Sequence, residues 1–232
     1  HFNADAVRNE KVKVLDAIRP LTLEQVADAS IRGQYSGYLE EPGVRPASNT
    51  ATFGAVRLEV DNWRWQGVPF YLRSGKAMSC RTTQIVIGFR QPPLELFAAD
   101  NSQAQREANR LVIQIQPAEG IQLHFHTKVP GDGMRLRLTD LEFSYSREFS
   151  GRLPEAYEPL LLDCMTGDAS LFARSDEVEK SWGIIDPFVR AWGSDTTPPI
   201  PSYRPGDWGP AASNAWMHEQ GQSWFDLCPV LR

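Results

Sequence analysis

The spacing of apolar residues changes near residue 50, and this change constrains the fold more than any other feature of the chain. Over residues 1–18 the apolar residues recur at spacings of three, four and seven, which predicts a helix that Pro20 ends, and residues 23–29 predict a second, short helix. From residue 50 the spacing becomes two, as in a strand whose side chains point alternately to opposite faces of a sheet. We therefore expect two helices followed by strands.

Six segments carry the strand pattern. A hairpin with a longer loop joins the first two segments, and residues 117–120 supply the turn between the fourth and the fifth. Strands joined by short turns predict an antiparallel sheet. The predicted strands are 50–61, 68–72, 84–89, 111–116, 121–127 and 134–145.

The remainder of the chain is predicted to be helical. Residues 154–165 begin with a proline, which suits a helix start, and residues 175–192 carry acids in their first turn, where the helix dipole favours them. Pro187 should kink or divide this second helix, and a short helix is expected near Trp216. Strands first and helices later predict the α+β class: a large, mostly antiparallel sheet with helices packed on one face, in a single domain over 1–232.

Length, charge and cysteine content exclude several function classes. The 232 residues carry a net charge of −5, which disfavours nucleic acids and anionic membranes as partners, and no apolar run approaches the roughly 20 residues of a membrane-spanning helix. No leader is visible at the N-terminus, so we expect a cytoplasmic protein. Three scattered cysteines predict reduced thiols, not a disulfide frame or a zinc site: Cys80, Cys164 and Cys228.

Positive charge is concentrated in one segment. Residues 62–94 contain five cations and no acid, although the whole chain has a net charge of −5. Lys76 follows a glycine just past a predicted strand, and Arg81 lies five positions further on, so a mobile ammonium and a guanidinium fork could hold an anion such as a phosphate. The alternative is a set of edge-strand charges that keeps the sheet soluble.

Two histidines have a spacing that could serve a metal ion. His124 and His126 lie two apart on a predicted strand and therefore share a face, but no third ligand is visible nearby, and zinc needs three or four. We expect no metal site. The sequence also reveals no acid paired with a histidine, as general-base catalysis would need.

Four segments resemble the glucose-6-phosphate 1-dehydrogenase family. The resemblance covers essentially the whole chain, and motifs of this length are specific. The segments are 61–76 (DNWRWQGVPFYLRSGK), 8–15 (RNEKVKVL), 109–117 (NRLVIQIQP) and 168–179 (DASLFARSDEVE).

The resemblance is to the C-terminal part of that enzyme alone. The chain contains no Gly-x-Gly-x-x-Gly fingerprint after a strand, and the NADP-binding domain, the phosphate motif and the catalytic histidine of the family all precede the region that it resembles. The implied function is therefore a share in the oxidation of glucose 6-phosphate to 6-phosphogluconolactone with NADP, the first step of the pentose phosphate pathway. The chain alone is expected to be inactive.

The resemblance also implies which residues contact substrate and how copies associate. Lys76 matches the family's sugar-phosphate lysine, Arg81 a second basic residue, and Gln116 a glutamine at a strand end. Association into a homodimer or homotetramer through the sheet is the implied assembly. A non-catalytic sugar-phosphate-binding or assembly module derived from the enzyme is the alternative.

Some family members bind a second, structural NADP on this domain, and here the sequence departs from them. Arg73 matches one of their binding residues, but five other positions lack the charged or aromatic residue that those members carry. We therefore expect no structural NADP. The loop after Tyr35 is also shorter than is usual in the family. The five positions are Thr82, Val86, Gln114, Gln122 and His124.

Overall fold

Two helices begin the chain where the apolar spacing predicts them. They are α1 (Ala4–Asp16) and α2 (Leu23–Asp28). α2 starts with a capping box, in which the side chains of Thr22 and Gln25 each bond the other's backbone N–H. The computed structural model describes residues 3–91, 108–131, 135–149, 155, 157–194 and 199–228.

The six predicted strands are present with bounds shifted by a few residues, and two further strands were missed. The missed strands are Ser30–Tyr35, in a stretch that glycine and proline made look irregular, and Ser202–Tyr203, in the proline-rich C-terminal region. The predicted starts at Pro154 and Met134 lie outside the described residues, and Pro187 does not divide the helix Ser175–Trp192. In chain order the elements are β1 (Ser30–Tyr35), a 3-10 turn (Tyr38–Glu40), β2 (Phe53–Glu59), β3 (Pro69–Gly75), β4 (Thr83–Gly88), β5 (Arg110–Gln116), β6 (Gly120–Lys128), β7 (Leu136–Ser144), α3 (Tyr145–Glu148), α4 (Tyr157–Thr166), α5 (Ser175–Trp192), β8 (Ser202–Tyr203) and α6 (Ala211–Glu219).

The α+β class is confirmed, and the described strands form two four-stranded sheets. One sheet has the order β3-β2-β1-β8, and the other is the meander β4-β5-β6-β7. Every pairing is antiparallel except that of β1 with β8, which is parallel. The chain divides accordingly into two compact units: a first unit of His1–Ser79 and Pro154–Trp224, and a second of Cys80–Leu153 and Phe225–Arg232.

The sheet of the first unit is covered on both faces, because β2 places apolar residues on both sides. Val56 and Leu58 point to one face and pack against α2 and the buried Phe188 of α5. Phe53 and Ala55 point to the other face and pack against β8 and α6.

Hydrogen bonds join the C-terminal end of α5 to β1. Trp192 Nε1 donates to Ser30 Oγ at 3.0 Å, and the buried Arg32 guanidinium donates to the Trp192 carbonyl oxygen. A cation at the C-terminal end of a helix also complements the helix dipole.

The two faces of the second unit's sheet differ, and one of them is partly covered by the C-terminal segment. Phe225 lies on the covered face, 5.9 Å from the His124 ring and 5.2 Å from the Arg110 guanidinium. The opposite face is apolar, since the register aligns isoleucine, leucine and phenylalanine across neighbouring strands. Six of its residues have relative exposures of 36–60%: Ile85, Ile87, Ile115, Ile121, Leu141 and Phe143.

The prediction of three reduced thiols is wrong for two of them. Cys80 and Cys228 form a disulfide within the second unit, with their Cα atoms 6.0 Å apart, while Cys164 is free and exposed. The pair is separated by 148 positions in the sequence, so no local spacing could reveal it. Among the described residues, no helix is long and apolar enough to cross a membrane.

Candidate functional site

Lys76 directly follows β3, at the edge of the first unit's sheet. Its backbone N–H donates to the Thr52 carbonyl oxygen at 2.8 Å, which continues the β2–β3 pairing by one residue. Gly75 lies close to its neighbours, since a Cβ there would lie 2.7 Å from Met78 Sδ and 3.0 Å from Phe53, so a larger residue would require these side chains to shift. The backbone is thus held closely while the Lys76 side chain remains exposed.

Arg81 and Gln116 belong to the second unit and lie at the same end of its first two strands. Thr82, next to Arg81, donates its hydroxyl to the Gln116 carbonyl oxygen at 3.1 Å, and Thr83 is paired with Gln116 in the ladder. The Gln116–Pro117 peptide bond is cis. Both candidate side chains are exposed.

The cations of the charged segment divide into two kinds. Arg73 is used by the fold, since its guanidinium lies 4.9 Å from the Trp208 ring centre and 4.6 Å from that of Trp224. Lys76 and Arg81 differ from Arg73, because neither pairs with a carboxylate anywhere in the part of the chain that the structure describes, and the same holds for Arg64 and Arg90. Exposed cations without an internal counter-ion are suited to an anionic ligand.

Two of the histidines have roles that the sequence did not predict. His124 Nδ1 lies 2.6 Å from Asp140 Oδ1, a cross-strand partner on β7, so a histidine–acid pair exists where none was expected. Its Nε2 is buried and has no hydrogen-bond partner among the described residues. His126 Nδ1 lies 3.3 Å from Asn109 Oδ1. Within the described ranges, no three His, Cys, Asp or Glu side chains are grouped to hold a metal ion.

The expectation that no structural NADP binds stays a prediction. Thr82, Gln114 and Gln122 are neutral, and the Arg73 guanidinium contacts the Trp208 and Trp224 rings.

Sequence reasoning missed the residue that contacts Lys76 from a distant part of the chain. The hydroxyl of Tyr203 donates to the Lys76 carbonyl oxygen at 2.7 Å. Burial raises the pKa of this phenol, so the hydroxyl keeps its proton and remains a donor. A tyrosine inside a proline- and glycine-rich stretch carries no local signal for this contact.

Comparison with known proteins gives one family. The model of the "Glucose-6-phosphate dehydrogenase, C-terminal domain" matches residues 1–225. Glucose-6-phosphate 1-dehydrogenase of Dickeya dadantii is 42% identical over 97% of this chain and 48% of its own length. The enzyme of Rhizobium meliloti is 45% identical over 97% of this chain and 47% of its own length.

Two solved structures of glucose-6-phosphate dehydrogenases have the same fold as this chain. Glucose-6-phosphate 1-dehydrogenase from Mycobacterium avium superposes with a TM-score of 0.80 at 34% identity, over 100% of this chain and 46% of that protein. A glucose-6-phosphate dehydrogenase in complex with its substrate glucose-6-phosphate gives a TM-score of 0.82 at 32% identity, over 97% and 46% of the two chains. The chain therefore spans about half the length of the relatives that it matches.

Proposed function

The chain belongs to the glucose-6-phosphate dehydrogenase family, within its C-terminal domain, and on that basis we propose that both units form the substrate-side domain of an enzyme that oxidises glucose 6-phosphate to 6-phosphogluconolactone. NADP accepts the hydride from C1 of the sugar. The resemblance of the sequence to this family implies that the proton acceptor and the dinucleotide-binding domain lie outside this region of the enzyme. We propose a cytoplasmic location for this enzyme.

The observation that carries the proposal is Lys76, an exposed cation directly after β3 that pairs with no carboxylate among the described residues. Lys76 supplies a compact ammonium for the dianionic phosphate, and Arg81 supplies a planar fork of donors. The Gln116 amide, one end of which donates while the other accepts, suits a sugar hydroxyl. Their role is to position the substrate, since holding the reacting carbon in place accounts for a large part of enzymatic rate enhancement.

The test is substitution of Lys76 in the intact enzyme. Lys76→Ala removes one charge-assisted contact, worth about 1.5–3 kcal/mol, so kcat/KM for glucose 6-phosphate should fall by roughly 10- to 150-fold. The KM for NADP should change much less. Lys76→Arg should restore only part of the loss, because a planar fork does not replace a compact ammonium.

Arg64→Ala is the matched control. Arg64 is an exposed cation of the same acid-free segment, but it lies before β3, so the length of that strand separates it from Lys76. Its removal should leave kcat/KM unchanged. A loss of less than about twofold in Lys76→Ala, below the value of a charged contact, would identify Lys76 as a solvated edge charge and defeat the proposal.

We also propose that copies associate through the exposed apolar face of the β4–β7 sheet. Leu141 is 60% exposed and Ile121 42% exposed in the single chain, and an apolar surface of this kind is typical of an interface that a two-fold axis pairs with itself. The chain should therefore sediment as a dimer or tetramer of a 26.1 kDa subunit.

Leu141→Glu should convert the assembly to monomers at micromolar concentration, because the pairing would bury two carboxylates without partners. Leu161→Glu is the control, since Leu161 is similarly exposed but lies on α4 of the first unit. A Leu141→Glu variant that sediments like the parent would place the interface elsewhere.

A further inference from the structure

The loop that carries Lys76 is held by the short segment that follows β8. Gly206 N donates to the Ala77 carbonyl oxygen at 2.8 Å, and Ser79 N donates to the Asp207 carbonyl oxygen at 3.1 Å. Both contacts join stretches of the first unit that are far apart in the sequence. The loop between β3 and the second unit is therefore held from the C-terminal region as well as by its own strand.

Tyr203 provides the central contact of this arrangement. Its side chain is buried, with 4% exposure, and its hydroxyl lies 2.7 Å from the Lys76 carbonyl oxygen and 3.1 Å from Thr52 Oγ1. Thr52 Oγ1 in turn accepts a hydrogen bond from Tyr35 N at 2.9 Å.

These distances assign the direction of each hydrogen bond. A phenol has one proton, and the Tyr203 hydroxyl directs it at the nearer of two carbonyl oxygens that can only accept: that of Lys76 at 2.7 Å, not that of Thr52 at 3.2 Å. The Thr52 hydroxyl then donates to the Tyr203 oxygen and accepts from Tyr35 N. Each hydroxyl is satisfied in both roles, which a buried polar chain requires if it is to fix a single backbone conformation.

The residue after Lys76 has an unfavourable backbone conformation, which neighbouring contacts must stabilise. Ala77 has φ +50°, in the left-handed region that residues with a Cβ rarely adopt. Such a conformation persists where surrounding contacts enforce it, and it is common beside binding sites. Here the contacts come from Tyr203 on one side of Ala77 and from Gly206 on its carbonyl.

We propose that Tyr203 is a positioning residue for Lys76: its buried hydroxyl holds the Lys76 carbonyl and so fixes the direction from which the ammonium reaches the sugar phosphate. This inference rests on the proposed function of Lys76. Tyr203 does not touch the substrate. It acts through the lysine, whose long side chain can point in many directions unless its backbone is fixed.

The experiment is Tyr203→Phe in the intact enzyme, alone and combined with Lys76→Ala. The ring and its edge contacts with Phe53 and Tyr35 remain, and one hydrogen bond is lost. The KM for glucose 6-phosphate should rise roughly 3- to 10-fold, as expected for a single neutral hydrogen bond, while kcat and the KM for NADP stay within twofold. In the Lys76→Ala background, Tyr203→Phe should have no further effect on that KM.

Two controls distinguish the positioning of Lys76 from a general destabilisation of the structure around Tyr203. Tyr35→Phe deletes the same atom from the same aromatic cluster, but the Tyr35 hydroxyl bonds Glu41, so it should leave the KM for glucose 6-phosphate unchanged. Thr52→Ser keeps the hydroxyl that donates to Tyr203 and should behave as the parent, whereas Thr52→Val should raise the KM in the same direction as Tyr203→Phe.

The possible outcomes distinguish the positioning role of Tyr203 from the substrate role of Lys76 on which it rests. If Lys76→Ala raises the KM and Tyr203→Phe does not, the positioning role is wrong and the substrate role of Lys76 stands. If Tyr203→Phe raises the KM equally with and without Lys76, Tyr203 does not act through the lysine and the inference is overturned. If Lys76→Ala itself has no effect, the proposed function of Lys76 fails first.

Discussion

In the first unit, both faces of the β3-β2-β1-β8 sheet are buried under helices and strands from distant parts of the chain, whereas in the second unit the β4–β7 meander is built from neighbouring strands and leaves an apolar face exposed. Burial of apolar surface is the main source of stability, so the first sheet is stabilised by its own packing. The second has less of that packing and has a disulfide and a C-terminal segment in addition. The candidate residues are divided in the same way, with Lys76 on the first unit and the other two on the second.

The largest expected effect tests the core of the first unit. Phe188 is 1% exposed, between α5 and the sheet, so Phe188→Ala should cost about 3–5 kcal/mol of unfolding free energy. Phe143→Ala, on the exposed face of the second sheet at 37% exposure, should cost less than about 1.5 kcal/mol in dilute samples.

Urea unfolding measures both values, and hydrogen exchange followed by mass spectrometry assigns each loss to a unit. Equal costs for Phe188→Ala and Phe143→Ala would mean that the two sheets do not differ in how they are stabilised.

The second effect concerns the disulfide. Cys80→Ser removes a cross-link that closes a loop of 148 positions, and the loss of such a link costs about 2–5 kcal/mol. Hydrogen exchange should increase in the second unit, particularly in β4 and the segment around Phe225, and change little in α5.

Cys164→Ser is the control, because that thiol is free and exposed. Mass measurement of the alkylated protein without reductant should find one reactive cysteine. Three reactive cysteines in the native protein would contradict the disulfide directly.

The smallest effect is a pH dependence confined to the first unit. Hydrogen bonds from Arg19 at 2.9 and 2.7 Å hold the pKa of the Asp61 carboxyl below its usual range, and Arg174 does the same for Asp176. Because the folded pKa is depressed, this stabilisation is present above the ordinary value of 3.8 and is lost as the pH falls through the folded pKa.

Asp61→Asn should therefore destabilise the first unit at pH 7, and the difference from the parent should shrink below about pH 4 as the parent's carboxyl is protonated. Urea unfolding at several pH values measures it. Glu40→Gln, at an exposed residue that forms no ion pair among the described residues, should show no such convergence. A constant difference between Asp61→Asn and the parent across this range would rule out the linkage.

The sequence by itself determined the local elements, because periodicity and caps are short-range. It predicted α1, α2, α5 and the six main strands, and it placed Lys76 just past a strand and Gln116 at a strand end, where the structure has them. It failed for β1, whose glycine-containing stretch is a strand because β2 pairs with it on one side and β8 on the other.

The tertiary structure alone decided the contacts between distant residues. Tyr203 bonds Lys76 across 127 positions, Cys80 bonds Cys228 across 148, and Asp140 pairs with His124 only because the register of β6 and β7 sets them opposite each other. Each of these depends on which segments the core brings together. A pattern read along the chain reports the spacing of neighbours, and it carries no information about a partner that only the packing of the sheets brings within hydrogen-bonding distance.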